Sequence, residues 1–323
     1  MKNYLLLLGV CIMLTSCSTG DGALLQGLLG GSSEAITFYH CRAVSENEIE
    51  FVFSKAVTVT SLNFVPELSV AAVENGSTVS VKLGENPDPG RLITAALLAE
   101  DENGNSINVL ASLHSRNNRM PELMINELYT EYSGSTRRTE FIEFKIKSDG
   151  NLGAMRVFII GNSNAARQTI YQFSPVEVKN GDYVTLHLRT IEPSAKDEYG
   201  DDLTESGGVN ASPTGRDFWI PGNTKLFHKT AIAYVMDQDD RILGAVMISE
   251  NPNLPWPKDY LAEAAEFLLE QGVWNGEPMS SRGKTATRSI SRDETVENTN
   301  SAADWYLSVS SGFTPGSKND PRR

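Results

Sequence analysis

The stretch Glu122–Gly150, ELMINELYTEYSGSTRRTEFIEFKIKSDG, decides how the rest of this 323-residue chain is read. A first strand closes on Ile125-Asn126-Glu127, a polar loop follows, and a second strand runs through Glu140-Phe141-Ile142-Glu143-Phe144. Alternation at period two marks a strand with one buried face. It also fixes the register, because a slip of one residue would turn every apolar side chain toward water. Glu127 and Glu143 are the polar members of the two strands. They could be an acid–base pair, but two carboxylates in strands of a sandwich are read as structural.

Toward the C-terminus lies a second telling stretch, Ser289–Asn319, SISRDETVENTNSAADWYLSVSSGFTPGSKN. Its Ser, Thr and Asn content is that of a tail, yet it carries Trp305, Tyr306 and Phe313. Taken together, the two stretches resemble the lamin-tail domain. The matching residues are Asn126-Glu127, Glu140–Glu143, the Leu152-Gly153 turn, Ser289–Arg292, Asp304-Trp305 and Thr314–Asn319. Phe144 stands where that family has Leu, and Lys145-Ile146-Lys147 continues the strand where the family has an Asn turn. The resemblance brackets residues 121–319 and implies an Ig-like sandwich of an exported bacterial protein, with the closing stretch part of the fold. On that reading Trp305 and Phe313 cover an open end of the core, and Pro315-Gly316 ends the chain's regular path.

Upstream, residues 35–118 show the same period. Ile49, Phe51 and Phe53 form one apolar set and Val79, Val81 and Leu83 another, separated by turn signals at Asn75-Gly76, Asn86–Gly90 and Asn103-Gly104. This region resembles bacterial Ig-like repeats, which implies a spacer or docking role. A polar linker, LHSRNNRMPE, follows. The expected fold class is therefore mainly β: two Ig-like β-sandwich domains, the second expanded by loop insertions and a short helix.

The insertions are placed at 192–225 and 251–284. Between them, TAIAYVMDQDDRILGAVMIS reads as a hairpin turning at Asp237–Asp240. In the second, Pro257, an apolar face of Leu261, Ala264, Ala265, Leu268 and Leu269, and Gly272 predict a helix and its stop. His187, between Leu186 and Leu188, is expected to face outward.

The N-terminus, MKNYLLLLGVCIMLTSCS, has one charged residue followed by an apolar run too short to span a bilayer, as in an export signal. Leu14-Thr15-Ser16-Cys17 resembles the bacterial lipobox, which implies cleavage after residue 16 and acylation of Cys17. Residues 17–34 read as a Gly/Ser-rich tether. Each buried acyl methylene contributes about 0.8 kcal/mol, so several chains on one cysteine make a stable anchor. The expected location is the bacterial cell envelope, with the outer membrane preferred to the periplasmic face. Cys11 leaves with the leader and Cys17 carries lipid, so Cys41 remains as a passive thiol.

A formal net charge of -13 argues against binding a phosphate backbone, and no nucleic-acid partner is expected. No glycine loop has the phosphate-binding pattern, and no His, Ser or Cys is arranged as a nucleophilic triad. No catalytic residue is assigned. A contact surface for an envelope protein or glycan is expected at Arg216, Asp217, Trp219, Trp256 and Trp274, because aromatics beside cations make good anchors. No cofactor is expected besides the lipid. Asp201, Asp202, Asp237 and Asp239 are the positions from which a divalent cation could be argued. The function read from the sequence is a membrane-anchored, non-catalytic binding or scaffolding module. The alternative is a metal-dependent hydrolase of nuclease or phosphoesterase type, or an accessory domain to one, since lamin-tail domains often accompany such enzymes.

Overall fold

The computed structural model describes residues 35–320 apart from 136, 163–166 and 252. The export signal, Cys17 and the tether lie outside the described residues. The chain divides into two compact units, Met1–Asn118 and Arg119–Arg323. Both are built of β-strands, and the protein is a mainly β, sandwich-type molecule.

The first unit contains β1 (Phe38–Ser45), β2 (Glu48–Val65), β3 (Val70–Glu74), β4 (Gly76–Leu83), β5 (Leu92–Glu100) and β6 (Ser106–His114). Strand β2 runs well past the alternation of Ile49, Phe51 and Phe53. Its first half pairs with β1 and β4, and from Thr58 onward it pairs with β5. One long strand thus serves two sheets, and the apolar faces meet in a core of Phe51, Phe53, Val79, Val81, Ile93, Leu97 and their neighbours.

The second unit has two principal sheets. The five-stranded one is ordered β11 (Gln168–Gln172), β10 (Arg156–Gly161), β15 (Ala231–Met236), β16 (Ile242–Ser249) and β17 (Met279–Ser280). The six-stranded one is ordered β14 (Arg216–Trp219), β13 (Tyr183–His187), β8 (Phe141–Ile146), β7 (Leu123–Tyr129), β18 (Ile290–Arg292) and β19 (Trp305–Leu307). A short ribbon pairs β9 (Gly150–Asn151) with β12 (Glu177–Val178). The expected hairpin is β15–β16, and the closing stretch supplies β18 and β19, so it belongs to the fold.

Aromatic packing fills the core of this second unit. Phe173 meets Phe144 and Phe218 edge-on, with ring centroids 6.3 and 5.0 Å away. The α-helix α1 (Asp259–Glu270) buries Leu261, Ala265 and Leu268 against the same core. Gly272, with φ +67°, stops it, as a left-handed residue after a helix does. Leu269, expected on the buried face, is 44% exposed. Among the described residues no helix is long and apolar enough to cross a membrane.

Candidate functional site

The register of the six-stranded sheet places Tyr306, Ser291, Glu127, Glu143, Thr185 and Asp217 in one continuous cross-strand row. Directly paired residues share a face, so one polar row crosses the whole sheet. Beside it runs an aromatic row on the same face: Tyr129, Phe141, His187 and Trp219. Tyr129 and Phe141 stack at 5.6 Å, and His187 lies flat on the Trp219 indole at 3.7 Å. An alternation of this kind would normally put such residues in water. Here Glu127, Glu143, Thr185, His187 and Asp217 are all fully buried.

Two segments cover the face. At its centre the C-terminal strap, Thr314–Asn319, is held by main-chain donors. Thr314 N donates to Glu127 Oε2 at 3.0 Å and Gly316 N donates to Glu143 Oε2 at 2.5 Å. Asn319 Nδ2 donates to the carbonyls of Asn126 and Arg292 at 2.9 and 3.0 Å, and Asn319 N donates to Glu294 Oε1 at 2.9 Å. The remaining glutamate oxygens accept from Ser291 Oγ and Asn126 Nδ2, both at 2.9 Å. Phe313 packs edge-on against Tyr129, with Arg138 above its own ring.

Toward the β14 edge the cover is the first insertion. Glu198 accepts the main-chain N–H groups of Ser206 and Asp217, and Asp197 accepts that of Trp219 at 2.8 Å. Ser212 N and His187 Nε2 bond the two oxygens of Asp217 at 2.9 and 2.7 Å. Directed hydrogen bonds make the burial of Glu127, Glu143, His187 and Asp217 tolerable, while the Thr185 hydroxyl is buried in the same row without a partner among the described residues.

Burial sets the electrostatics. Desolvation, followed by the neighbouring Glu127 charge, pushes the Glu143 carboxyl well above its ordinary range; desolvation also raises Glu127. Lys284, buried against the Tyr129 ring, is pushed down to about 7 by desolvation. At the other end of the face Arg292 pairs with Asp304 at 3.2 Å and covers Trp305. Lys145 pairs with Glu294, and Arg189 with Glu140 at 2.5 Å.

These positions correct the contact surface expected from the sequence. Asp217 is an acceptor inside the fold, and Arg216 donates to the carbonyls of Glu198 and Gly200, both at 2.6 Å. Trp219 lies under the insertion with its Nε1 bonded to Ser206 Oγ, Trp274 is buried in the core, and Trp256 packs on the core's edge. The tryptophans hold the insertions on the sandwich. His187, expected outward, faces outward from the sheet but under this cover. The aspartates serve turns: Asp202 accepts from Thr204, Asp237 accepts from the N–H groups of Asp239 and Arg241, and Asp201 is exposed. Among the described residues no three His, Cys, Asp or Glu side chains gather as an ion-holding group.

A cleft of about 550 Å³ beside the face is open to solvent and lined by Thr190, Lys196, Asp197, Tyr199, Trp219 and Pro221. Tyr199 is half-exposed there, and its hydroxyl donates to Asp197 Oδ2 at 3.2 Å. Sequence reading missed this cleft because its aromatic, Tyr199, precedes the Trp219 region by twenty residues and meets it only through the insertion's fold.

Fold and site together define a β-sandwich protein whose second unit has a closed polar face. The family model described as "TP_1001_2nd: protein second domain" matches residues 121–307, and the chain belongs to that family. A curated relative from Treponema pallidum (strain Nichols), described as "Uncharacterized protein", is 26% identical over 212 residues, covering 63% of this chain and 53% of that protein. The match thus spans about half the length of the relative. Among solved structures, the N-terminal part of the bacterial S-layer protein SbsC aligns at 12% identity with a TM-score of 0.26, over 71% of this chain and 47% of that chain. That score is too low to bear on fold or function.

Proposed function

We propose that this chain is a lipid-anchored lipoprotein of the bacterial cell envelope, acylated at Cys17, whose second unit is a lamin-tail-like, non-catalytic binding or scaffolding module. The observation that carries the reading is the use made of the carboxylates on the outer face. Glu127, Glu143 and Asp217 each accept main-chain N–H donors from the segments that cover them. They close the fold, and their oxygens are turned to the covering segments rather than presented to a substrate. The leader and the Leu14–Cys17 motif support the anchor and the envelope location, with the outer membrane preferred.

Contact with an envelope protein or glycan is assigned to the cleft at Tyr199, whose wall includes Trp219, rather than to Trp274 in the core or Trp256 on its edge. A half-exposed phenol, a neighbouring carboxylate and Lys196 offer one apolar face with polar groups of both signs, the composition of a recognition patch. The test is crosslinking of the anchored protein in its own cells, comparing it with Tyr199→Ala and Lys196→Ala. A reproducible partner lost in both variants supports the reading; a partner retained in both moves the contact surface elsewhere.

A further inference from the structure

The polar row poses a charge problem that its hydrogen bonds leave unsolved. Glu127 and Glu143 are directly paired across β7 and β8, and both are fully buried. Among the described residues neither is in an ion pair. Two adjacent buried carboxylates cannot both carry charge without a large electrostatic cost, and such pairs hold a proton between them.

The groups facing the pair come from every element packed on it. From β8 and β13 come Lys145 and Tyr183, both directed at Glu294, which itself adds negative charge near Glu143. From β18 comes Arg292, already paired with Asp304. From β19 comes Tyr306, and from the segment before β18 comes Lys284, whose amine bonds the Thr285 carbonyl at 2.7 Å. Asp217 stands two strands farther along the row with His187 as its partner. The nearby cations are therefore engaged by other groups, and Lys284 acts on Glu127 only through space.

We infer that Glu127 and Glu143 together hold one proton, and that this proton latches the strap Thr314–Asn319 onto the sheet, so that its loss releases the strap. With the proton present the pair carries a single negative charge, matched to two main-chain N–H donors. When base removes it to solvent the pair carries two, and water entering over the face relieves the repulsion more cheaply than the buried geometry does. The strap's hold on the pair is two main-chain hydrogen bonds, and Asn319 anchors its far end on Asn126, Arg292 and Glu294. The upward displacement of both carboxyls by burial agrees with this.

The experiment follows strap release by trypsin cleavage after Lys318, normalised to an unstructured peptide of the same sequence. Cleavage would be read from about pH 6 to about pH 9, alongside an infrared measurement of the protonated carboxyl stretch. Wild-type protein is expected to show the acid band at neutral pH and a rise in normalised cleavage on the order of tenfold as the band disappears. Glu143→Gln, which keeps a neutral side chain at every pH, should lose the band and hold cleavage at its low value. Glu127→Gln provides a second such variant should the first not fold. Absence of the acid band in wild-type protein, or the same rise in cleavage in the glutamine variants, would overturn the proposal.

Discussion

Glu127 and Glu143 face each other across two central strands, and each receives one main-chain N–H from the same short strap, Thr314 N and Gly316 N. The two motifs that stand farthest apart in the second unit, Asn126-Glu127 with Glu140–Glu143 and Thr314–Asn319, are thereby one piece of structure. Asn319 completes it by donating to the carbonyl of Asn126. The strap therefore closes the sandwich, and the glutamates position it.

The pH dependence of stability should separate two buried groups of opposite sign. The Glu143 carboxyl is raised above its ordinary 4.5, so its contribution is fully present below that value and is lost as pH rises through the folded-state value. In Glu143→Gln that fall should disappear, leaving the variant more stable than wild type by about 1–3 kcal/mol at alkaline pH. Urea unfolding across pH measures this. A difference between Glu143→Gln and wild type that does not change with pH would contradict the burial of the pair.

Lys284 acts the other way. Its value is lowered from 10.5 to about 7, so the cost of burying its charge is full below about 7 and fades as pH approaches 10.5. Lys284→Met keeps the packing on Tyr129 without the charge, and should raise stability at neutral pH by about 1–4 kcal/mol. The gap between Lys284→Met and wild type should be widest at neutral pH and close as pH approaches 10.5. Equal slopes for the two proteins would show that Lys284 is solvated.

Gly316 is constrained twice. Its φ is +74°, and a Cβ there would lie 2.1 Å from Ser212 Oγ. Gly316→Ala should cost about 1–3 kcal/mol through strain and displacement of the strap, seen as a lower melting temperature. Gly181→Ala, where φ is +96° but nothing lies within 4 Å, is the control for backbone strain alone and should cost less.

Trp219 and Tyr199 separate structure from recognition. Trp219→Ala removes a buried ring stacked on His187 and should cost about 3–5 kcal/mol in thermal or denaturant unfolding. Tyr199→Ala, at a half-exposed ring, should cost less than about 1 kcal/mol while abolishing partner capture. If both variants melt alike, the cleft is part of the core and not a surface.

Much of the fold was legible in the sequence because apolar alternation reports the inner face directly. Ile125, Ile142, Leu186 and Val246 all lie in the core, and the hairpin and helix fall where their turn and stop residues put them. The outer face was not legible. Glu127, Glu143, His187 and Asp217 alternate as solvent-facing residues do, and period alone cannot tell water from a covering loop. The cover comes from residues about 190 positions downstream of Glu127 for the strap and about 20–30 from His187 for the insertion, through contacts that no local pattern encodes. The tryptophans misled for the same reason: in a long insertion a large aromatic side chain is as suited to docking the loop as to docking a partner.

The most direct test of the closed face is amide hydrogen exchange of Thr314 and Gly316 in the native protein at mildly acidic pH, read against the central strands β7 and β8. Protection of both amides comparable to that of Ile142 and Leu128 is the expected result, since each donates to a fully buried carboxylate. Exchange of both at the rate of an unstructured peptide would contradict the account, making the strap Thr314–Asn319 a tail and leaving Glu127 and Glu143 open to water.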